Sequence, residues 1–287
     1  MTEFSLPRKI TLATDLSARS DRAFDRTIAL AQQWDAEVQL VHAVEDTQYA
    51  FWVQGPTWRR SPDPVAIARR KLETEFPGWS NVRGSLVVKN SAPYTLVTES
   101  AQQAGSDLII TGIAHDETYG ADKIGRMVTE IAKHSQAPVL AVKRRVAGPY
   151  RNIVVASDLT DVSRHAMMFA AGAFRQANVS IFYGFDVPYA DKLDNLDNVE
   201  RDLRASETAN AQKWVKSVLG EAADEINVIA EMGQVARNLG HYVSDWRVDL
   251  VVVGSEGRTG LLSAILGSTA EEIMSKVDCD VMVVRPG

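Results

Sequence analysis

"RNIVVASDLTDVSRHAM" (151–167) reads as a second copy of "RKITLATDLSARSDRAF" (8–24). The correspondence runs on: "SDLIITG" (106–112) matches "VDLVVVG" (248–254), and "APVLAVKR" (137–144) matches "CDVMVVRP" (279–286). The offset is 142–143 residues throughout. That is too long for a solenoid period and suits a whole small domain. The sequence therefore predicts a tandem duplication with domains at 1–146 and 147–287. Their junction, "RRVAGPY" (144–150), is broken by Gly148-Pro149.

Each half alternates short β-rich runs with helical patterns. In the second half "NIVVASD" is a strand, and Thr160 is placed to cap a helix with Val162, Ala166, Phe169 and Ala173 on its apolar face. "VSIFYGFD" (179–186), "INVIAEMG" (226–233), "VDLVVVG" and "DVMVVRP" are the other strands. Helices are expected from about Asp194 to Leu219, over 234–245, and from Ser268. Strands that are nearly continuous apolar runs, alternating with helices, predict an α/β fold with a parallel sheet covered on both faces. Ligands of such sheets lie at the carboxyl ends of strands, where the strand order reverses. Asp158 and Gly254 both sit at such ends.

Composition excludes several classes. The net charge is −6 and the pI near 5.5, against the basic footprint that sequence-independent nucleic-acid binding requires. A single cysteine, Cys279, rules out an intrachain disulfide and reads as a small buried hydrophobe in a reducing compartment. No apolar signal core or run suited to a membrane span is found, so the expected location is cytoplasmic. The five histidines, at 42, 115, 134, 165 and 241, show no metal-ligand spacing. Walker, G-x-G-x-x-G and G-x-S-x-G patterns are missing as well.

The stretch "GSEGRTGLLSAILGSTAEEI" (254–273) carries the chemistry. Gly254 ends a strand, Gly257 keeps the next turn free of Cβ atoms, and Gly267 precedes Ser268-Thr-Ala-Glu271, a capping-box pattern. A helix start offers free N–H groups and a positive dipole end, so a phosphate fits between the turn and this helix, with Ser268 or Thr269 adding hydroxyls. Spacing alone leaves open a plain strand-to-helix loop.

G-x2-G-x9-G-[ST] behind a strand, with an aspartate closing the first strand of the same domain, resembles the ATP-binding pattern of the universal stress protein family. Gly254, Gly257, Gly267 and Ser268 fill it, and both halves look like family domains. The resemblance implies two tandem adenine-nucleotide-hydrolase-like domains, each a five-stranded parallel sheet with helices on both faces. It places Asp158 at the ribose and adenine end, with Ala156 and Val253 bordering the base. The backbone of Gly254, Gly257 and Gly267, with Ser268 and Thr269, would hold the phosphates. The chain departs from the family at Glu256. A carboxylate there repels a polyphosphate unless Arg258 or a divalent cation such as Mg or Mn intervenes.

The equivalent loop of the first half, "GIAHDETYGADKIGRMVTE" (112–130), keeps Gly112 and Gly125 but has His115 for the middle glycine and Arg126 for the serine. Asp15 survives, and an aspartate there equally organises the start of the next helix. Nucleotide is therefore expected in the second domain. The aromatic segment "TQYAFWVQGPTWRRSPDP" (47–64) reads as rings folded onto protein or as a surface for a partner or apolar ligand. Leu193, Leu196, Val199 and Leu203 form a core-facing helical stripe.

Three functions compete: a stress-response regulator binding ATP in the second domain, a nucleotide-independent scaffold or apolar-ligand binder acting through the first, and a slow ATPase. The regulator reading includes a protein partner that the sequence does not name. The halves are expected to form an intrachain pseudo-dimer through their last strands, with room for a homo-oligomer.

Overall fold

The computed structural model describes residues 4–18, 20–45, 63–75, 79–116, 121–123, 125–187, 196–255 and 266–286. It contains two compact units, Pro7–Pro149 and Tyr150–Gly287, the second of which also takes in Phe4.

In the first unit the elements are β1 (Lys9–Ala13), α1 (Ser20–Trp34), β2 (Glu37–Val44), α2 (Pro64–Glu75), β3 (Gly84–Asn90), α3 (Pro93–Ala104) and β4 (Leu108–Gly112). They are followed by β5 (Ala114–Asp116), β6 (Ala121–Lys123), α4 (Arg126–His134) and β7 (Val139–Val142). The sheet order is β7-β4-β1-β2-β3, every pair parallel, while β5 and β6 form a separate antiparallel pair.

The second unit has β8 (Asn152–Ser157), α5 (Asp161–Ala173), β9 (Asn178–Phe185), α6 (Leu196–Leu219) and β10 (Asn227–Met232). Then come α7 (Val235–Asp245), β11 (Leu250–Gly254), α8 (Ser268–Lys276) and β12 (Asp280–Val284). Its order is β10-β9-β8-β11-β12, again all parallel. Leu250, Val251, Val252 and Val253 are successive and all buried, so both faces of the sheet are covered. That is the α/β architecture expected from the apolar strand runs.

The duplication extends to the hydrogen bonds. Asp107 Oδ2 accepts from the backbone N–H of Arg8 and Lys9 (2.8 and 3.0 Å), pinning the start of β1 beside β4. Asp249 does the same for Arg151 and Asn152 at β8, with the same two distances. Each carboxylate satisfies two donors where the ladder begins, which fixes the register of the central strand pair.

On α5, Phe169 meets Phe4 edge-on at 5.5 Å, and Phe174 meets Tyr150 at 5.6 Å. The Tyr150 hydroxyl donates to the buried Asp280 carboxylate (2.6 Å). Cys279 is fully buried, as its sequence position predicts. Val199 and Leu203 of α6 lie against Tyr183, Phe185, Val187 and Ala230, which bears out the core reading of that stripe. Arg204, one position on, holds Glu200 of its own helix and Glu231 of β10. Leu193, the side chain of Leu196 and the aromatic segment through residue 62 lie outside the described residues.

Backbone strain differs between the units. Helix α3 ends on Gly105 in the left-handed region (φ 63°), where glycine carries no Cβ penalty. The matching position after α7 is Arg247 at φ 50°. A non-glycine residue there costs about 1–2 kcal/mol, partly offset by the entropy glycine loses on folding. Arg247→Gly is therefore expected to stabilise the second unit by about 0.5–1 kcal/mol. A thermal melt showing a lower midpoint for the variant would contradict this.

Candidate functional site

The site grows from the end of β8. Ser157 closes the strand, and its Oγ accepts from Leu159 N (3.0 Å). Leu159 itself is left-handed (φ 62°), held there by packing against the Tyr183–Phe185 cluster. This tight turn places the half-buried Asp158 at the carboxyl end of β8. Asp158 Oδ1 accepts from Thr160 N (3.2 Å), Thr160 Oγ1 (2.6 Å) and Ser163 Oγ (2.5 Å), and Ser163 Oγ accepts in turn from Asp158 N (3.2 Å). The carboxylate is thus fixed through one oxygen, and Oδ2 has no bonding partner among the described residues. Thr160 stands at the N-cap of α5 as expected, but its hydroxyl is oriented to donate to Asp158 and its oxygen makes no capping bond to the helix.

The other wall comes from β11 and α8. Ser255, directly after Gly254, donates its N–H to Val284 O and accepts from Gly267 N (both 2.9 Å). Those two bonds bring the start of α8 back to the end of β11. The capping box expected at Ser268 and Glu271 is not formed. Gly267 is the N-cap (φ −62°, ψ 141°) and Ser268 is already the first helical residue. The bond from Gly267 N to Ser255 O fixes the cap one residue earlier, where there is no side chain to cap with. Among the described residues no side-chain cap bond is made at this N-terminus, and Ser268 and Thr269 are exposed.

Gly254 has a packing role that its place in the glycine pattern did not disclose. A Cβ there would stand 2.8 Å from Val162 Cγ1 and 3.4 Å from the Val162 backbone. The glycine lets the first turn of α5 close on the end of β11.

Between these walls lies a cleft of about 460 Å³ at the carboxyl ends of the strands, across β8 and β11, where the strand order reverses. Ala156, Asp158, Val253, Gly254, Gly267, Ser268 and Thr269, all singled out from the sequence, line it together. Glu256, Gly257 and Arg258 lie outside the described residues. The sequence reading missed Ser163, Gly184, Asp186 and Val235, which also line the cleft. Ser163 had a usable signal, since both halves carry a serine five residues after the strand-end aspartate. Asp186 and Val235 enter only because β9 pairs with β8 and the start of α7 packs against Gly184 of β9. Among its described lining residues the cleft has two carboxylates and no Lys, Arg or His.

The first unit builds the same aspartate turn on different surroundings. Leu16 is left-handed (φ 61°), and Asp15 Oδ1 accepts from Ser17 N (2.9 Å) and Ser20 Oγ. Burial works to raise the Asp15 pKa, but the hydrogen bonds from Ser20 and Ser17 outweigh it and hold the carboxyl below its ordinary value. Beside it, burial lowers the pKa of His42, whose Nδ1 meets Thr14 O at 2.8 Å. Between Gly112 and Gly125 the chain forms the β5–β6 hairpin, and α4 starts with Arg126 at its first position. Among the described residues no cluster of three or more His, Cys, Asp or Glu could hold a metal. No described helix is long and apolar enough to cross a membrane.

The chain matches the Universal stress protein family twice, over residues 7–143 and 149–285. It belongs to that family. The two matches make it a tandem member, and membership supports a stress-response role. A universal stress protein of Methanocaldococcus jannaschii is 29% identical over 140 residues, covering 47% of this chain and 82% of that one. Universal stress protein E of Escherichia coli K12 is 20% identical across 92% of this chain and 89% of its own length. A universal stress protein crystal structure from Archaeoglobus fulgidus superposes with a TM-score of 0.63 at 15% identity, covering 97% and 98% of the two chains. That likeness supports the fold.

Proposed function

We propose that this universal stress protein binds one ATP, in its second domain, and that occupancy of this site serves its stress-response role. The observation that carries the reading is the cleft that joins Asp158 to the uncapped start of α8. Free backbone N–H groups and two hydroxyls at one end suit phosphate oxygens. The Asp158 carboxylate, whose bonds among the described residues all go to Oδ1, suits ribose hydroxyls through Oδ2, and Ala156 and Val253 supply apolar contact for the base. Because the described lining holds carboxylates and no cation, the nucleotide is expected as its Mg or Mn complex, which offsets repulsion at close range. The first domain keeps the aspartate but folds a hairpin where the second has its glycine stretch, and it puts a long side chain at Arg126.

Calorimetric titration of Mg-ATP into the full chain tests this. One site per chain is expected, abolished by Gly257→Trp with the far-UV circular dichroism unchanged. Two equivalent sites would refute the assignment. No binding at millimolar ATP would also refute it, in favour of the nucleotide-independent scaffold.

A further inference from the structure

Resting on the ATP reading above, we infer that Asp186 is the base-reading residue of the cleft and selects a purine with an exocyclic 6-amino group over a 6-oxo purine. The cleft is chemically polarised. Its α8 end offers donors, the free amides and the hydroxyls of Ser268 and Thr269. Its other end offers acceptors. Strand order β9-β8-β11 sets the sequence of contacts for a ligand whose phosphates sit on α8. The ribose falls at Asp158 after β8, and the base, resting against Ala156 and Val253, extends its far edge toward the end of β9.

At that end the described lining is Gly184, Val235 and Asp186. Gly184 has no side chain and Val235 is apolar, so Asp186 supplies the side-chain polarity there. Strands β8 and β9 run in parallel register up to Ser157 opposite Tyr183, so Asp158 and Asp186 both follow the carboxyl ends of neighbouring strands. Their circumstances differ. Asp158 is engaged by Thr160 and Ser163 through Oδ1. Asp186 is exposed and makes no hydrogen bond or ion pair among the described residues. An ionised carboxylate only accepts hydrogen bonds. It pairs with an amino group and opposes the lone pairs of a carbonyl oxygen at the same ring position. Adenine presents the first and hypoxanthine the second.

Competition titrations of ATP, ITP and 2′-deoxy-ATP against wild type, Asp186→Asn and Asp186→Ala separate the outcomes. Wild type is expected to prefer ATP over ITP by about tenfold or more, since a site built to accept a hydrogen bond rejects the analogue that lacks the donor. In Asp186→Asn the ratio should fall close to one, because a carboxamide can donate to the 6-oxo group. The ratio of ATP to 2′-deoxy-ATP should not change. An ATP-to-ITP ratio unaltered by Asp186→Asn and Asp186→Ala overturns the inference while leaving the ATP site intact. A change in the 2′-deoxy ratio instead would assign Asp186 to the ribose and overturns it too. Failure of wild type to bind any of the three removes the ATP reading and this inference together.

Discussion

Asp158→Ala is expected to weaken ATP binding about tenfold to a hundredfold, while the equivalent change Asp15→Ala leaves it nearly unchanged. Both aspartates end a central strand, both follow the same local pattern, and both are tied by a serine five residues on. They differ in what faces them. Opposite Asp158 stands the start of α8 with exposed Ser268 and Thr269, whereas in the first domain the corresponding helix starts at Arg126 behind the β5–β6 hairpin. A hydrogen bond from ribose to an ionised carboxylate contributes roughly 1.5–3 kcal/mol, which sets the expected factor. Alanine also releases Thr160 and Ser163, so Asp158→Asn, which keeps an acceptor oxygen, should lose less. Equal losses for Asp15→Ala and Asp158→Ala, measured by the same titration, would sink the one-site assignment.

The second large effect concerns Gly254. With a Cβ only 2.8 Å from Val162 Cγ1 and 3.4 Å from the Val162 backbone, alanine enters only if the Val162 side chain or the start of α5 gives way. Overpacking of this kind costs about 1–3 kcal/mol, and each kcal/mol lowers the melting midpoint by roughly 2–4 °C in a protein of this size class. Because Ser163 follows Val162 and holds Asp158, the same shift should also reduce ATP affinity. Val162→Ala removes the colliding methyl groups, so the double variant should recover much of both losses, a coupling expected only of residues in contact. Were Gly254 needed solely for approach of a ligand, Gly254→Ala would leave the melt unchanged and Val162→Ala would rescue nothing. Differential scanning calorimetry alongside titration decides between the two.

Much of the fold was open to reading because it rests on local and periodic features. Two copies of one pattern, each of apolar runs alternating with helical stripes, predict two parallel α/β domains, and the strands stand where those runs are. The site was legible where it is written in contiguous residues: Ala156 and Asp158 at one strand end, Val253 and Gly254 at another, and Gly267 to Thr269 at a helix start. The exceptions are instructive. Ser268 reads as a cap by composition, yet a single long-range bond from Gly267 N to Ser255 O moves the cap back one residue. Thr160 holds the N-cap position by pattern, but the bond its hydroxyl donates to the Asp158 carboxylate sets the orientation of the side chain, and no cap forms.

By itself, then, the sequence determined the duplication, the strand and helix order, the strand-end aspartates and the contrast between "GSEGRTGLLSAILGST" and "GIAHDETYGADKIGRM". These follow from propensity and hydrophobic periodicity, which act over a few residues. Only the tertiary structure decided that Gly254 serves the closing of α5 on β11 and that Asp186 and Val235 share a cleft with Ser268. It alone showed an arginine in the left-handed position that the first unit gives to glycine. Such outcomes depend on strand order and on distances between segments far apart in the chain, and hydrophobic patterning fixes which face a residue takes without fixing what it meets there.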